Sequence, residues 1–263
     1  MGVLNITPDS FYDGGNFLEQ EEILLNEVLA SGQYMVHEGA RILDIGGESS
    51  RPGAEPVGDT EEMRRVIPAI KALTKLDALI SVDTYHAVTA RAAVEAGAHI
   101  VNDISGGADP AMLDLIAESG VGVCLMHMQG TPETMQNRPS YDDVIADVAG
   151  FLQQRVQACI AAGIRAEQIA IDPGFGFGKT LEHNLMLLRH LQQIRVAQHP
   201  VLVGLSRKSM LGKITGRRVE DREAASVVAA VLAAQNGADV IRVHDVAKTH
   251  DGLQVLKHVN PSV

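Results

Sequence analysis

Cysteine is scarce in this 263-residue chain, with two residues, at positions 124 and 159. Two thiols cannot build a disulfide framework. Neither C-x-x-C nor H-E-x-x-H spacing occurs, which argues against a structural zinc site. Cys124 lies in the apolar run VGVCLMHM and Cys159 in a helical pattern, so both are expected to be reduced core residues. Positive charge is also in short supply. Lys and Arg number 22 against 33 Asp and Glu, a net charge of −11. That argues against nucleic acid or anionic membrane as the main partner, because both require a basic surface. No apolar stretch of about 18 residues is free of charge, so no membrane span is expected. Met1 leads directly into the strand-like GVLNIT with no signal peptide ahead of it, although so abrupt a start leaves room for a short N-terminal extension. A soluble, cytoplasmic protein is the expectation.

Two nucleotide-binding signatures are missing as well. The stretch DPGFGFGKT, residues 172–180, ends like a phosphate loop, but G-x-x-x-x-G-K-[ST] requires a glycine at 173, where Pro173 stands. Proline has no N–H to offer a phosphate. Lys179 therefore reads as a lysine at a helix start, and the glycines as a place where backbone passes close beneath a planar ligand, with Phe175 and Phe177 as apolar contacts. The first strand–helix turn reads TPDSFYDGGNF rather than G-x-G-x-x-G, which disfavours a doubly wound dinucleotide fold.

What is present is repetition. Short β-branched runs at Gly2–Thr7, Arg41–Gly47, Leu79–Thr84, His99–Ser105, Gly122–Met128, Ile169–Gly174, Val201–Ser206 and Val240–Asp245 alternate with amphipathic stretches. Helices are predicted over Glu19–Glu38, Thr60–Lys75, His86–Ala96, Pro110–Ser119, Tyr141–Ala162, Leu181–Val196, Asp221–Asn236 and Ala247–His258. Asp109-Pro110 supplies an N-cap followed by proline at the first helical position, and EAGA, AAGI and QNGA place glycine at helix ends. Eight strand–helix units without a linker or a composition shift predict an α/β fold, a single-domain TIM (β/α)8 barrel over 1–263.

On that fold, chemistry sits at the C-terminal ends of the strands. Those ends carry Asn5, Glu48-Ser49-Ser50-Arg51, Asp83, Asn102-Asp103, His127, Asp172, Ser206-Arg207-Lys208, and Arg242 with His244. Asp83, Asn102 and Asp172 offer two carboxylates and an amide, suited to a flat heterocycle rich in N–H donors. The same trio is a poorer match to a divalent metal, whose sites gather more oxygens. Arg242 and His244 share a strand face and join Arg51 as a cationic group for phosphate oxygens, with acids expected deep and cations toward the rim. Asn5 adds an oxygen for a magnesium ion on a diphosphate. The loops after strands one and two, TPDSFYDGGNF and ESSRPGAEPVGD, are turn-rich and long, as substrate lids are.

The segments MGVLNITPDSFYDGG, ILDIGGESSRPGAEPV, SVDT, VNDISGG, CLMHMQGTPETMQ, DPGFGFGK, LVGLSRKSMLG and IRVHDV follow one another from Gly2 to the last strand. In that order they closely resemble the signature segments of the dihydropteroate synthase family. The resemblance implies a TIM-barrel homodimer that uses Mg2+ to join 6-hydroxymethyl-7,8-dihydropterin diphosphate to 4-aminobenzoate. By position it implies Asp83, Asn102, Asp172 and Lys208 as the pterin pocket, with Ile104 and Met126 beside the ring. It implies Asn5 as the metal and diphosphate ligand, and Arg51, Arg242 and His244 as the anion site. Phe11, Ser50, Pro52, Lys208 and Ser209 are implied as walls of the aminobenzoate site, and Asp13 as the first-loop acid that orders the closed state. Asp83, Asp172, Lys208, Arg242 and His244 are the implied catalytic groups. Ser50 stands where many family members carry Thr, which keeps the hydroxyl and loses a methyl. A methyltetrahydrofolate-binding module of corrinoid methyltransferases shares the pterin acids but has no use for ESSRP and SRKS.

Overall fold

The β-branched runs form parallel strands because each is followed by an amphipathic helix that must pack back on the sheet. The computed structural model describes residues 1–7, 17–19, 22–49 and 57–260. Its strands are β1 (Gly2–Asn5), β2 (Ile42–Gly46), β3 (Leu79–Asp83), β4 (Ile100–Asp103), β5 (Gly122–Met126), β6 (Ile169–Asp172), β7 (Leu202–Val203) and β8 (Val240–Ile241). β1 to β6 pair in chain order, and β7 pairs with β8, all in parallel. Two bridges join these sets, Ile171 with Val201 and Gly2 with Val243. Across the second junction Val3 N–H donates to Val243 O at 3.0 Å, and Val243 N–H donates to Met1 O at 2.9 Å. The ladder thus runs around all eight strands and returns to the first, which is the closed (β/α)8 barrel.

The outer ring is α1 (Leu25–His37), α2 (Asp59–Leu73), α3 (Ala87–Glu95), α4 (Pro110–Ser119), α5 (Val144–Ala161), α6 (Leu181–Arg189), α7 (Glu223–Gln235) and α8 (Val246–Val259). Asp109 caps α4 by accepting from Ala111 N–H at 2.9 Å, and Asp143 caps α5 by accepting from Ile145 N–H at 2.9 Å. Leu4, Ile45, Ile80, Val82, Leu125 and Ile171 are fully buried, so the strands feed one continuous core between sheet and helices. Cys124 and Cys159 are buried free thiols, as expected. No described helix is long and apolar enough to cross a membrane.

Three differences from the sequence reading have local causes. The first helix starts at Leu25 rather than at 19, because Leu18–Glu19 pairs antiparallel with Glu22–Ile23 in a small hairpin. Phe17 is fully buried, and its main-chain oxygen accepts from Leu24 N–H at 2.8 Å beside that pair. The sixth helix ends at Arg189 and resumes as Leu191–Ile194, broken at His190, whose φ of −113° leaves the helical range. β7 and β8 are shorter than their apolar runs, because pairing beyond them thins to single contacts, Arg242 N–H donating to Val203 O at 2.9 Å and Val243 bridging to Gly2. A short helix, Ser209–Thr215, also intervenes before α7.

Candidate active site

Parallel register carries the polar strand ends to one mouth. Asn5 lies opposite Gly46, Gly46 opposite Asp83, Asp83 opposite Asn102, and Met126 opposite Asp172. Asn102, Asp172, Ile104 and Met126 are buried, while Lys208 and Arg242 are half-buried. Ser209, the first residue of the short helix after β7, is exposed. Phe11, Asp13, Ser50, Arg51 and Pro52 lie outside the described residues.

One group at the centre escaped the sequence reading. Asp44, in the interior of β2, is fully buried. Its Oδ2 accepts from Arg242 Nε at 2.6 Å and from Asn102 Nδ2 at 3.3 Å. Arg242 also donates from Nη2 to Asp83 Oδ2 at 2.6 Å. β2 and β4 are not neighbours, and β8 reaches β2 and β3 past β1, so these bonds cross the inside of the barrel. Asp44 Oδ1 has no hydrogen-bond partner among the described residues, leaving a buried acceptor at the site. The signal was present in ILDIG: a lone acid in a strand that is apolar on both sides of it is expensive unless it faces a partner.

The expected layering, acids deep and cations at the rim, does not hold for Arg242. Its guanidinium sits between two of the acids, because a buried carboxylate pair needs a cation more than a rim needs one. Burial alone would lower the Arg242 pKa, but Asp44 and Asp83 outweigh it and hold the group charged. Burial pushes the Asp83 carboxyl up, opposed by Arg242 and reinforced by Asp44. Burial also pushes Asp172 up, against the pull of Lys208. Lys208 is lowered by burial to about 8, with Asp172 resisting. Burial thus holds Asp83, Asp172 and Lys208 away from their ordinary values at the point where three acids and two cations meet.

The rest of the mouth is built from β6 and β7. Asp172 Oδ1 accepts from Gly174 N–H at 2.7 Å, and Lys208 Nζ donates to Phe175 O while lying 4.6 Å from the Phe177 ring centre. Phe175 itself is fully buried in the core, so it is not the ligand contact expected of it. Lys179 is not a surface helix-start lysine either. It is 3% exposed and bonded to main-chain carbonyls and an imidazole, an arrangement with no place for a phosphate. His244 Nδ1 lies 2.9 Å from Ser206 Oγ, so it and Arg242 share a strand but serve different partners. Glu48, at the start of the second loop, is held to that loop's far end and to the loop after β3: Val57 N–H donates to Oε2 at 3.0 Å and Tyr85 OH to Oε1 at 2.6 Å. Sequence alone gave no signal for this clamp, whose partners lie in two different loops.

Gly46 carries no side chain, and a Cβ there would lie 3.5 Å from Asn5 Oδ1 and 3.6 Å from Asp83 Cβ. The single Asn5 amide oxygen beside Asp83 is the kind of lone protein ligand that magnesium takes when substrate phosphates and water supply the rest. A cavity of about 490 Å³ lies to one side, lined by His127, Gln129, Tyr141 and Asp147 among others. None of the charge cluster lines it, and the chemistry belongs with the cluster.

Known proteins share this fold. Residues 1–244 match the family model described as pterin binding enzyme. Haemophilus influenzae dihydropteroate synthase is 45% identical over 256 residues, spanning 97% of this chain and 91% of that protein. The Yersinia pestis dihydropteroate synthase solved with a sulfonamide drug superposes with a TM-score of 0.94 at 44% identity, covering 99% of this chain and 94% of that one. The Burkholderia cenocepacia dihydropteroate synthase complexed with 7,8-dihydropteroate gives 0.89 at 44% identity, covering 99% and 91%. With the barrel, the ordered motifs and the buried acids in agreement, this chain belongs to the pterin-binding enzymes, in the dihydropteroate synthase family.

Proposed function

We propose that the chain condenses 6-hydroxymethyl-7,8-dihydropterin diphosphate with 4-aminobenzoate, giving 7,8-dihydropteroate and pyrophosphate in folate biosynthesis. The observation that carries this reading is the convergence of Asp44, Asp83, Asn102 and Asp172 from four strands on a site that also holds Arg242 and Lys208. A pterin presents several N–H donors along one edge, and the carboxylates with the Asn102 amide complement them. Asp44 Oδ1, unpartnered among the described residues, is one such acceptor.

In the reaction, the C–O bond between the pterin methylene and the diphosphate breaks, and its electron pair leaves on the diphosphate. Asp83 and Asp172 stabilise the cationic pterin that remains by placing negative charge beside it in a dry pocket. Arg242, His244 and Arg51 stabilise the departing anion, with Arg242 giving up Asp83 as the pterin takes its place. The amine of 4-aminobenzoate then attacks the methylene carbon and releases a proton to water. Lys208 and Ser209, with Phe11, Ser50 and Pro52 from the first two loops, bound the second substrate, and Asp13 orders them. Ile104 and Met126 flank the ring. Asn5 is the protein ligand we assign to Mg2+, which when bound neutralises charge on the diphosphate and improves it as a leaving group.

We assign a homodimer through α7 and α8, supported by Val228, Leu232, Val255 and Val259, which are 59%, 43%, 64% and 79% exposed on that packed pair. Light scattering should give the mass of two chains; a monomer at micromolar concentration would count against it. The buried free thiols and acidic charge suit the cytoplasm. The reaction itself is tested by mixing the chain with both substrates, with and without magnesium, and following pyrophosphate and dihydropteroate together. Equal release of both supports the reading, and release of neither refutes it.

A further inference from the structure

The Gly-Lys-Thr that imitates a phosphate loop has a different use. Lys179 Nζ lies 2.9 Å from His127 Nδ1, 2.9 Å from Gly174 O and 2.9 Å from Phe177 O, with His127 O at 3.4 Å. An ammonium has three N–H donors, and three good acceptors surround this one. With Lys179 as the donor, His127 Nδ1 accepts and the ring is neutral with its proton on Nε2, in keeping with the lowering of its pKa by burial and by Lys179; the ring packs edge-on against Phe151 at 4.9 Å. Burying a charged lysine is costly unless its hydrogen bonds are all made. A chain that needed only packing here would carry an apolar residue.

What the lysine grips is the glycine-rich loop. Successive carbonyls of that loop each have a side-chain donor: Gly174 and Phe177 from Lys179, Phe175 from Lys208, Gly176 from Gln136 at 2.6 Å, and Gly178 from Tyr141 at 2.7 Å. Gly174, Gly176 and Gly178 are left-handed, with φ of 70°, 81° and 62°. A Cβ at Gly174 would lie 1.8 Å from His127 O, so loop backbone rests directly on the end of β5. Two groups of the site depend on this loop. Asp172 is oriented by Gly174 N–H, and Lys208 is parked on Phe175 O. Lys179 holds the carbonyls of Gly174 and Phe177, on either side of that parking place, and ties them to the neighbouring strand.

We propose that Lys179, through His127, is a positioning residue for the pterin pocket: it fixes the glycine-rich loop so that Asp172 and Lys208 meet the pterin ring together. The inference rests on the functional reading above and adds to it a residue that does not touch substrate. Lys179→Met should raise the KM for pterin diphosphate about tenfold or more, as loss of a charge-assisted hydrogen bond does. The KM for 4-aminobenzoate should rise less, since the lysine reaches the second subsite only through Lys208. In the Asp172→Asn background the same change should add less than in the native chain, because one of the two groups it positions is already disabled. His127 gives an independent handle. His127→Asn keeps an acceptor near the Nδ1 position and should retain most pterin affinity, whereas His127→Leu removes it and should copy Lys179→Met even if that variant folds poorly.

A wild-type pterin KM in Lys179→Met, full additivity with Asp172→Asn, or equal losses in His127→Asn and His127→Leu would each overturn the inference while leaving the reaction intact. Absence of turnover in the unsubstituted chain would remove the functional reading and this inference with it.

Discussion

Replacing Asp44 with Asn tests the centre of the site most sharply, because it removes one charge and almost no volume. In the native chain Asp44 Oδ2 accepts from Arg242 Nε at 2.6 Å and from Asn102 Nδ2 at 3.3 Å, in a fully buried position. Cutting a fully buried ion pair costs about 3–5 kcal/mol, and losing one charge-assisted hydrogen bond about 1.5–3 kcal/mol. The lower range applies here, because Arg242 keeps Asp83 as a second partner and its side chain is 21% exposed. A loss of about 2–3 kcal/mol follows, which in a chain of this size lowers Tm by roughly 4–12 °C. Circular dichroism melts at neutral pH, repeated with urea titration, measure it. Asp44→Asn should also weaken pterin diphosphate binding, since Asp83 is then left as the sole carboxylate bound to Arg242 and releases it less readily. A Tm within about 1 °C of the native value would mean the Arg242–Asp44 pair contributes nothing, and the reasoning from buried charge would fail.

Three further outcomes are expected. Asp172→Asn should weaken pterin diphosphate binding by about 1–3 kcal/mol, the worth of a charged acceptor, and unchanged affinity in calorimetry would deny it that role. Tyr85→Phe frees Glu48, at the start of the second loop, from the loop after β3 and should raise the KM for 4-aminobenzoate roughly three- to tenfold with the pterin KM little changed; steady-state kinetics in both substrates separates these, and an effect confined to pterin would contradict the clamp. For pH, kcat/KM for pterin diphosphate should fall on the acid side as Asp83 and Asp172 take up protons above the ordinary carboxylate range, and on the alkaline side as Lys208 loses its proton near about 8. Lys208→Arg should move only the alkaline limb upward, since guanidinium stays charged; a limb that does not move assigns that proton elsewhere.

The barrel was legible because its evidence is repeated: eight apolar runs ended in polar residues and alternated with amphipathic stretches, and the closing bridges only complete that count. Helix α4 was read to the residue, since Asp109, Pro110 and Gly120 each leave a conformational mark. The start of α1 was not, because LEQEE has the composition of a helix, whereas Leu18–Glu19 pairs with Glu22–Ile23 and Leu24 N–H is taken by Phe17 O. In the site, Asp83, Asn102 and Asp172 stood out at strand ends, whereas Asp44 was hidden mid-strand, where apolar neighbours masked it. Lys179 was misread for a different reason. Its partners are carbonyls of its own loop and a histidine 52 positions away, and nothing in the local sequence distinguishes a gripping lysine from a solvated one.

The central claim is tested most directly by a crystal structure of the chain with 6-hydroxymethyl-7,8-dihydropterin diphosphate bound. The ring should lie inside the barrel with its N–H edge on Asp83, Asn102 and Asp172, and with Arg242 turned from Asp83 toward the diphosphate. A pterin seated instead in the cavity beside His127 and Asp147, with the Arg242 pairs to Asp44 and Asp83 undisturbed, would contradict it.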